Sequence, residues 1–474
     1  MVSKGTVTLL KKAIEEDKKV VDICLQDNVS IICVNRDTQK DRPMPFSAMY
    51  GNNSSFWTKS DNWEYFLTND DLKKIKEKIQ KLAQLEIPDV KNEPGSTEQT
   101  AEEITEAENV KKGYGDDYVS IAAMTDVERV QHLQKDKERL DTLLVQKPRQ
   151  EDQITEALVE TAKDAMLHNH VTLANAMNLS SEEAKKQTQG LVDSTRELVK
   201  SSSQLISSNI FSDDLMNTLV SKSNGTIIQH MTRVYLNGLA FLTYYNKMVS
   251  GSSMINKLRI SFDTRYRQYY HSLLPYVHPD DFTLERVFLG GMRVIPENDF
   301  YNWATGFLIH DIGKAAAVEY HEGEAAYNRD IVMEHVKIGY TSVKNKTNYP
   351  LEAALITGYH HEYYGDPAGY GFYRTYLDEY KKANPSARVG FCIALDMNSI
   401  NRFEALGYFP AKVLEIIDVY DSVTDPNRKY RKAMTPQEAL AMMEEEFINK
   451  HHKIDIILFD IFTKFVQETI VNKK

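Results

Sequence analysis

At 474 residues, 42% hydrophobic and 26% charged, the chain is close to globular averages and long enough for roughly two to four domains of ordinary size. A net charge of -11 argues against a general nucleic-acid coat or a binder of anionic membrane surfaces, although a local cluster of cations and metals can still hold a small anion. Three cysteines, Cys24, Cys33 and Cys392, with no CxxC or Cys-His pair, predict a reducing compartment and no disulfide framework.

No run reaches the roughly 18 apolar residues of a membrane span, and the start, Met1-Val2-Ser3-Lys4-Gly5, lacks the apolar stretch of a secretory signal. The expectation is a cytoplasmic chain. Residues 1–85 read as a small α/β module. The β-branched runs Val20–Leu25 and Val29–Val34, separated by Gln26-Asp27-Asn28, suggest a hairpin. Asp70-Asp71 then opens a helix with Leu72, Ile75, Ile79 and Leu82 on one face. Nothing here has catalytic spacing, and Trp57, Trp63 and Phe66 read as core. Residues 86–118 turn acidic and poor in large apolar side chains around Pro88 and Pro94-Gly95-Ser96, the composition of a flexible linker. Residues 119–215 carry apolar positions at helical spacing with Ser-rich joints and no sustained heptads, which suggests a regulatory or dimerising helical segment. Met166, His168 and His170 read there as ordinary core or surface residues.

From 216 to 474 the pattern stays helical and the chemistry appears. Asn224-Gly225 marks a turn before a helix that carries His230 and Arg233 and continues through the apolar Leu236, Leu239, Ala240 and Leu242. Phe307-Leu308-Ile309 runs into His310-Asp311-Ile312-Gly313-Lys314. Glu334-His335 lies on the next helix, and Pro350–Ile356 leads into His360-His361-Glu362 and a Gly-rich stretch ending Gly369-Tyr370-Gly371. Val413–Ile417 runs into Asp418-Val419-Tyr420-Asp421, and Pro436–Val471 is helical and amphipathic. A carboxylate in a His-Asp step can bridge two cations while the imidazole holds one of them. Two divalent transition metals bridged in this way need about this inventory of imidazoles and carboxylates. Such a pair acidifies a shared water to hydroxide near neutral pH and neutralises charge developing on a phosphoryl group.

The ordered set His230, His310-Asp311, His335, His360-His361 and Asp418 resembles the HD superfamily of phosphohydrolases. It resembles more narrowly the HD-GYP branch, which hydrolyses cyclic di-GMP. The resemblance covers roughly residues 220 to 450. Its further marks are Lys314, Gly339 after His335, Gly369-Tyr370, and Asp418–Asp421 leading to Arg428-Lys429-Tyr430-Arg431. It implies a mostly α protein: an all-helical HD-type domain in the C-terminal half behind the N-terminal α/β module.

The resemblance also implies roles. His230, His310, Asp311 and Asp418 would hold one metal. Asp311 would bridge to a second, held by His335, His360 and His361, the two ions being iron or manganese. Lys314 would reach a phosphate oxygen or the bridging hydroxide. Arg428 and Arg431 would grip phosphates, a task suited to guanidinium forks. Gly369 and Tyr370 would belong to the loop beside the metals. Asp311 and Lys314 are thus the implied catalytic residues, and the substrate would be cyclic di-GMP, cleaved to pGpG, GMP or both.

Three departures stand out. Gly371 replaces the family's proline, which predicts a more mobile loop. Thr226 stands where three-metal members carry a glutamate, so two metals are expected. An insertion around Arg374–Pro410 could serve as a lid, a partner surface or a longer loop. Asp421 and Glu362 read as residues that orient others, whereas His321 and His451-His452 read as surface. Open alternatives are another cyclic dinucleotide or nucleotide as substrate, or a weakly active cyclic di-GMP receptor. The N-terminal region would sense a signal, bind a partner or form a homodimer. No polymeric nucleic acid is expected.

Overall fold

The computed structural model describes residues 7–10, 12–13, 20, 24, 29–35, 38, 41–45, 63–84, 117–148, 150–209, 227–316, 329–364, 369–426 and 432–471. The chain divides into two compact units, residues 1–98 and 99–474. The described residues are mostly helical. Trp57, most of the predicted linker, the turn at Asn224-Gly225, Thr226, His321, Arg428 and Arg431 lie outside them.

In the first unit β1 (Val7–Leu9), β2 (Ser30–Asn35), β3 (Asp41–Pro45) and β4 (Trp63–Thr68) form an antiparallel sheet in the order β1-β4-β2-β3. Pro43 and Pro45 sit on the edge strand β3, where the missing N–H leaves no central ladder bond unmade. Helix α1 (Asn69–Gln84) opens with Asp70 and Asp71, and Thr68 Oγ1 accepts the Asp71 N–H at 3.0 Å. It buries Leu72 and Ile75 against Ile31, Cys33, Tyr65 and Leu67. Phe66 is half-buried, because strand alternation sends it to the opposite face from Tyr65 and Leu67. The hairpin expected from Val20–Leu25 is corrected: Val20 and Cys24 are helical. They stand one turn apart and are both fully buried, so their apolar character serves a helix face. β2 makes its hairpin with β3 instead.

The second unit has one hydrophobic core running from Ile121 to Val466. Its first helices are α2 (Asp117–Ala122), α3 (Asp126–Val145), α4 (Glu151–Ala176) and α5 (Ser181–Asn209). Thr125 and Glu128 cap α3 reciprocally, and Ser180 and Glu183 cap α5 in the same way. These helices pack on one another and on the helices that follow, so residues 119–209 form a layer of the same body.

Helix α6 (Ile227–Ser250) is buried around almost its whole circumference and threads the body, touching α4 and the later helices α10 (Glu297–Leu308) and α16 (Phe409–Thr424). Between α6 and α10 lie α7 (Ser252–Ser261), α8 (Arg267–Leu273) and α9 (Leu284–Val287). Then come α11 (Gly313–Ala316), α12 (Arg329–Lys346), α13 (Leu351–Tyr359), α14 (Tyr373–Ala383) and α15 (Met397–Asn401), with α17 (Pro436–Met443) and α18 (Ile456–Val466) closing the order.

The segment read as an insertion contains α14 and α15 and the parallel strands β5 (Phe391–Ala394) and β6 (Ala405–Tyr408). Cys392, Ile393 and Ala405 are fully buried, and the Tyr373 hydroxyl donates to the Ala405 carbonyl at 2.8 Å. The segment is part of the core rather than a detached flap. Among the described residues no helix is long and apolar enough to cross a membrane.

Candidate metal centre

Five buried segments bring the predicted ligands together. α6 supplies His230, the turn after α10 supplies His310 and Asp311, and α12 supplies His335. The end of α13 supplies His360 and His361, and α16 supplies Asp418. The turn is tight: Ile312 N–H donates to Ile309 O and Lys314 N–H to Asp311 O. Gly313 is required there, because a side chain would collide with the His335 carbonyl. Gly339 allows the matching approach of α12 to Thr357. The glycines flanking the His-Asp step and His335 thus set the spacing between these elements.

Asp311 lies at the middle. Its Oδ1 is 3.0 Å from His335 Nε2 and 3.7 Å from His360 Nε2. Its Oδ2 lies 3.5 Å from His310 Nε2, 3.8 Å from His230 Nε2 and 2.6 Å from Lys314 Nζ. The two oxygens of one carboxylate therefore face two different histidine sets. Asp418 closes the ring, with Oδ1 at 2.9 Å from His230 Nε2 and Oδ2 at 3.8 Å from His361 Nδ1. Donor atoms fall into two convergent groups, Asp311 with His335, His360 and His361, and His230 with His310 and Asp418. Within each group they lie inside 4.8 Å of one another.

The imidazoles are aimed by their other nitrogens. His310 Nδ1 donates to Phe307 O and His360 Nδ1 to Thr357 O, both at 2.9 Å, which turns each Nε2 lone pair inward. His230 Nδ1 donates to Asp421 Oδ2 at 2.7 Å. Asp421 also receives Nε and Nη2 of Arg233, and Arg233 Nη2 reaches Asp425 at 2.7 Å. This fits the reading of Asp421 as a residue that orients others. Arg233 and Asp425 were missed as members of the site. The available signal was Arg233 itself, a guanidinium one turn from His230 in a helix buried around most of its circumference.

Burial lowers His310 to about 4 and holds His335 and His361 below the usual imidazole range, so these rings are neutral lone-pair donors. For His230 burial pulls down, but hydrogen bonds and charge from Asp418 and Asp421 outweigh it and raise the ring to about 9. Burial would raise Asp311 and Asp418, yet Lys314 and the neighbouring histidines hold Asp311, and His230 and His361 hold Asp418, well below the carboxylate range. His310 Nε2 is buried without a hydrogen-bond partner among the described residues. The neutral imidazoles of His310, His335 and His361 converge with two carboxylates, an arrangement that can hold a cation. The donor set fits divalent transition metals, and this buried His/Asp cluster can hold a metal ion.

The loop beside the centre departs from the expectation of mobility at its described end. Tyr370 N–H and Gly371 N–H both donate to the His361 carbonyl at 3.0 Å. A proline at 371 has no N–H to give, so the glycine fastens the loop where looseness was expected. Tyr370 lies over the His361 ring, with centroids 4.3 Å apart. Glu362 accepts the backbone N–H of Arg374 at 3.0 Å, in line with its reading as a residue that orients an amide. His451 is exposed, whereas His452 packs edge-on to Tyr269 with centroids at 4.6 Å.

No protein-family model, curated protein or solved structure matches the chain.

Proposed function

We propose that this centre belongs to a metal-dependent phosphodiesterase that hydrolyses cyclic di-GMP to pGpG, GMP or both. The observation that carries the reading is Asp311, whose two oxygens face the His335–His360 set on one side and the His230–His310 set on the other. Two divalent ions, iron or manganese, would bring water toward ionisation near neutral pH and neutralise charge on a phosphoryl group.

The chain's own residues do the rest. His310 and His360, locked by backbone carbonyls, keep their lone pairs on the centre without reorganisation. Lys314 holds a cationic Nζ at the partly open edge of the buried cluster, 2.6 Å from Asp311, where it meets a phosphate oxygen. Tyr370 offers a ring face above His361 against which a base can stack. A soluble nucleotide substrate puts the protein in the cytoplasm, with the N-terminal unit as the part that senses a signal or binds a partner.

The test is anaerobic turnover of cyclic di-GMP by protein reconstituted with Fe(II) or Mn(II), with products separated by chromatography and Asp311→Ala as control. Cleavage that vanishes in the variant supports the reading. Absence of cleavage from metal-loaded protein overturns it. Binding without turnover would then mark a receptor, and turnover of another nucleotide would mark a different phosphohydrolase.

A further inference from the structure

A second, separate group of ligand-type side chains stands between α3 and α4. His132 and Asp136 are one helical turn apart on α3, and Asp164 and His168 are one turn apart on α4. That spacing puts each pair on a single face, and the two faces meet. His132 Nδ1 lies 2.8 Å from His168 Nε2, and His132 Nε2 lies 3.9 Å from Asp164 Oδ2. One donor atom from each of His132, Asp136 and Asp164 lies within 4.8 Å of the others.

Two carboxylates face one imidazole, and the basic residues beside them are engaged elsewhere. Arg139 pairs with Glu160 at 2.5 Å, and Lys163 pairs with Asp117. Asp136 Oδ2 is buried and has no hydrogen-bond partner among the described residues. His168, fully buried, sits behind His132.

We propose that His132 Nε2, Asp136 and Asp164 bind a divalent transition-metal ion between α3 and α4. His168 is the positioning residue: His132 Nδ1 keeps its proton and donates it to His168 Nε2, which leaves Nε2 of His132 as the ligating lone pair. The imidazole and carboxylate donors suit Zn²⁺ or Mn²⁺, and the part-exposed rim leaves room for water to complete the coordination. The ion braces the α3–α4 pair. Each half of the site is a two-residue pattern on its own helix, and the group exists only where the two faces meet.

The test uses the full chain, stripped with a chelator and dialysed against Zn²⁺, with metal counted by mass spectrometry. Asp136→Asn with Asp164→Asn should bind about one ion per chain fewer than wild type, while Asp311→Ala keeps that ion. Wild-type crystals soaked in Zn²⁺ should show an anomalous peak between α3 and α4, which decides the matter even if the double variant folds poorly. An unchanged zinc count in a folded double variant, or no peak there, would overturn the proposal.

Discussion

Gly371 donates its backbone N–H to the carbonyl of His361, 3.0 Å away, and so ties the glycine-tyrosine loop to the backbone of the histidine pair itself. Any side chain at 371 would also run into the Glu362 side chain. Gly371→Pro loses the hydrogen bond and adds the collision. It should destabilise the protein by about 2 kcal/mol. Urea denaturation reads this directly, and a midpoint equal to wild type would show that the loop is held by something else.

Asp421 is shared by His230 and Arg233, and it links an imidazole of the centre to a buried guanidinium. Asp421→Asn keeps one acceptor oxygen and no charge, so it can no longer serve both His230 Nδ1 and the Arg233 fork. The expected cost is about 3 kcal/mol of stability, with metal affinity down by roughly 10- to 100-fold. Isothermal titration with Mn²⁺ separates the two effects. Lost stability with unchanged metal affinity would mean that His230 does not ligate.

The ligands were legible because most end or follow an apolar helical run, so that a His or Asp interrupting the run points into a buried space. Phe307-Leu308-Ile309 before His310 and Val413–Ile417 before Asp418 are of this kind. The central position of Asp311 follows from the tight turn before Gly313, where a side chain would meet the His335 carbonyl, a constraint no local pattern reveals. Val20 and Cys24 were misread because a short β-branched run satisfies both periods, and tertiary burial decides between them. The α3–α4 residues escaped notice for a related reason: His132 with Asp136, and Asp164 with His168, become one group only when two helix faces meet.

Glu415 is fully buried beside Lys412, with Lys412 Nζ at 2.6 Å from Glu415 Oε2. Burial raises its acid from 4.5 to about 8, against the pull of Lys412. The folded state therefore takes up a proton between those values. The stability this contributes is complete below pH 4.5 and is lost as pH rises through 8. Relative to Glu415→Gln, wild type should lose stability with rising pH across that interval, by at most about 1.4 kcal/mol per pH unit. Urea unfolding of both proteins across the interval measures the difference. A flat difference would show that the carboxylate is ionised in the fold.

The division of donors into two groups around one carboxylate makes separable metal losses the sharpest expectation for the centre. His335 belongs to the group with His360 and His361, and His310 to the group with His230 and Asp418, while Asp311 lies within 4 Å of histidines from both. His335→Gln and His310→Gln should each lower the Mn²⁺ content by about one ion per chain, and Asp311→Ala by about two. The α3–α4 ion, independent of all three, stays constant through the series. Elemental analysis after dialysis gives the counts. If His335→Gln removes two ions, the two positions fill only together. If Asp311→Ala costs no more than either histidine, the carboxylate does not bridge, and its two oxygens merely accept from neighbouring imidazoles and Lys314.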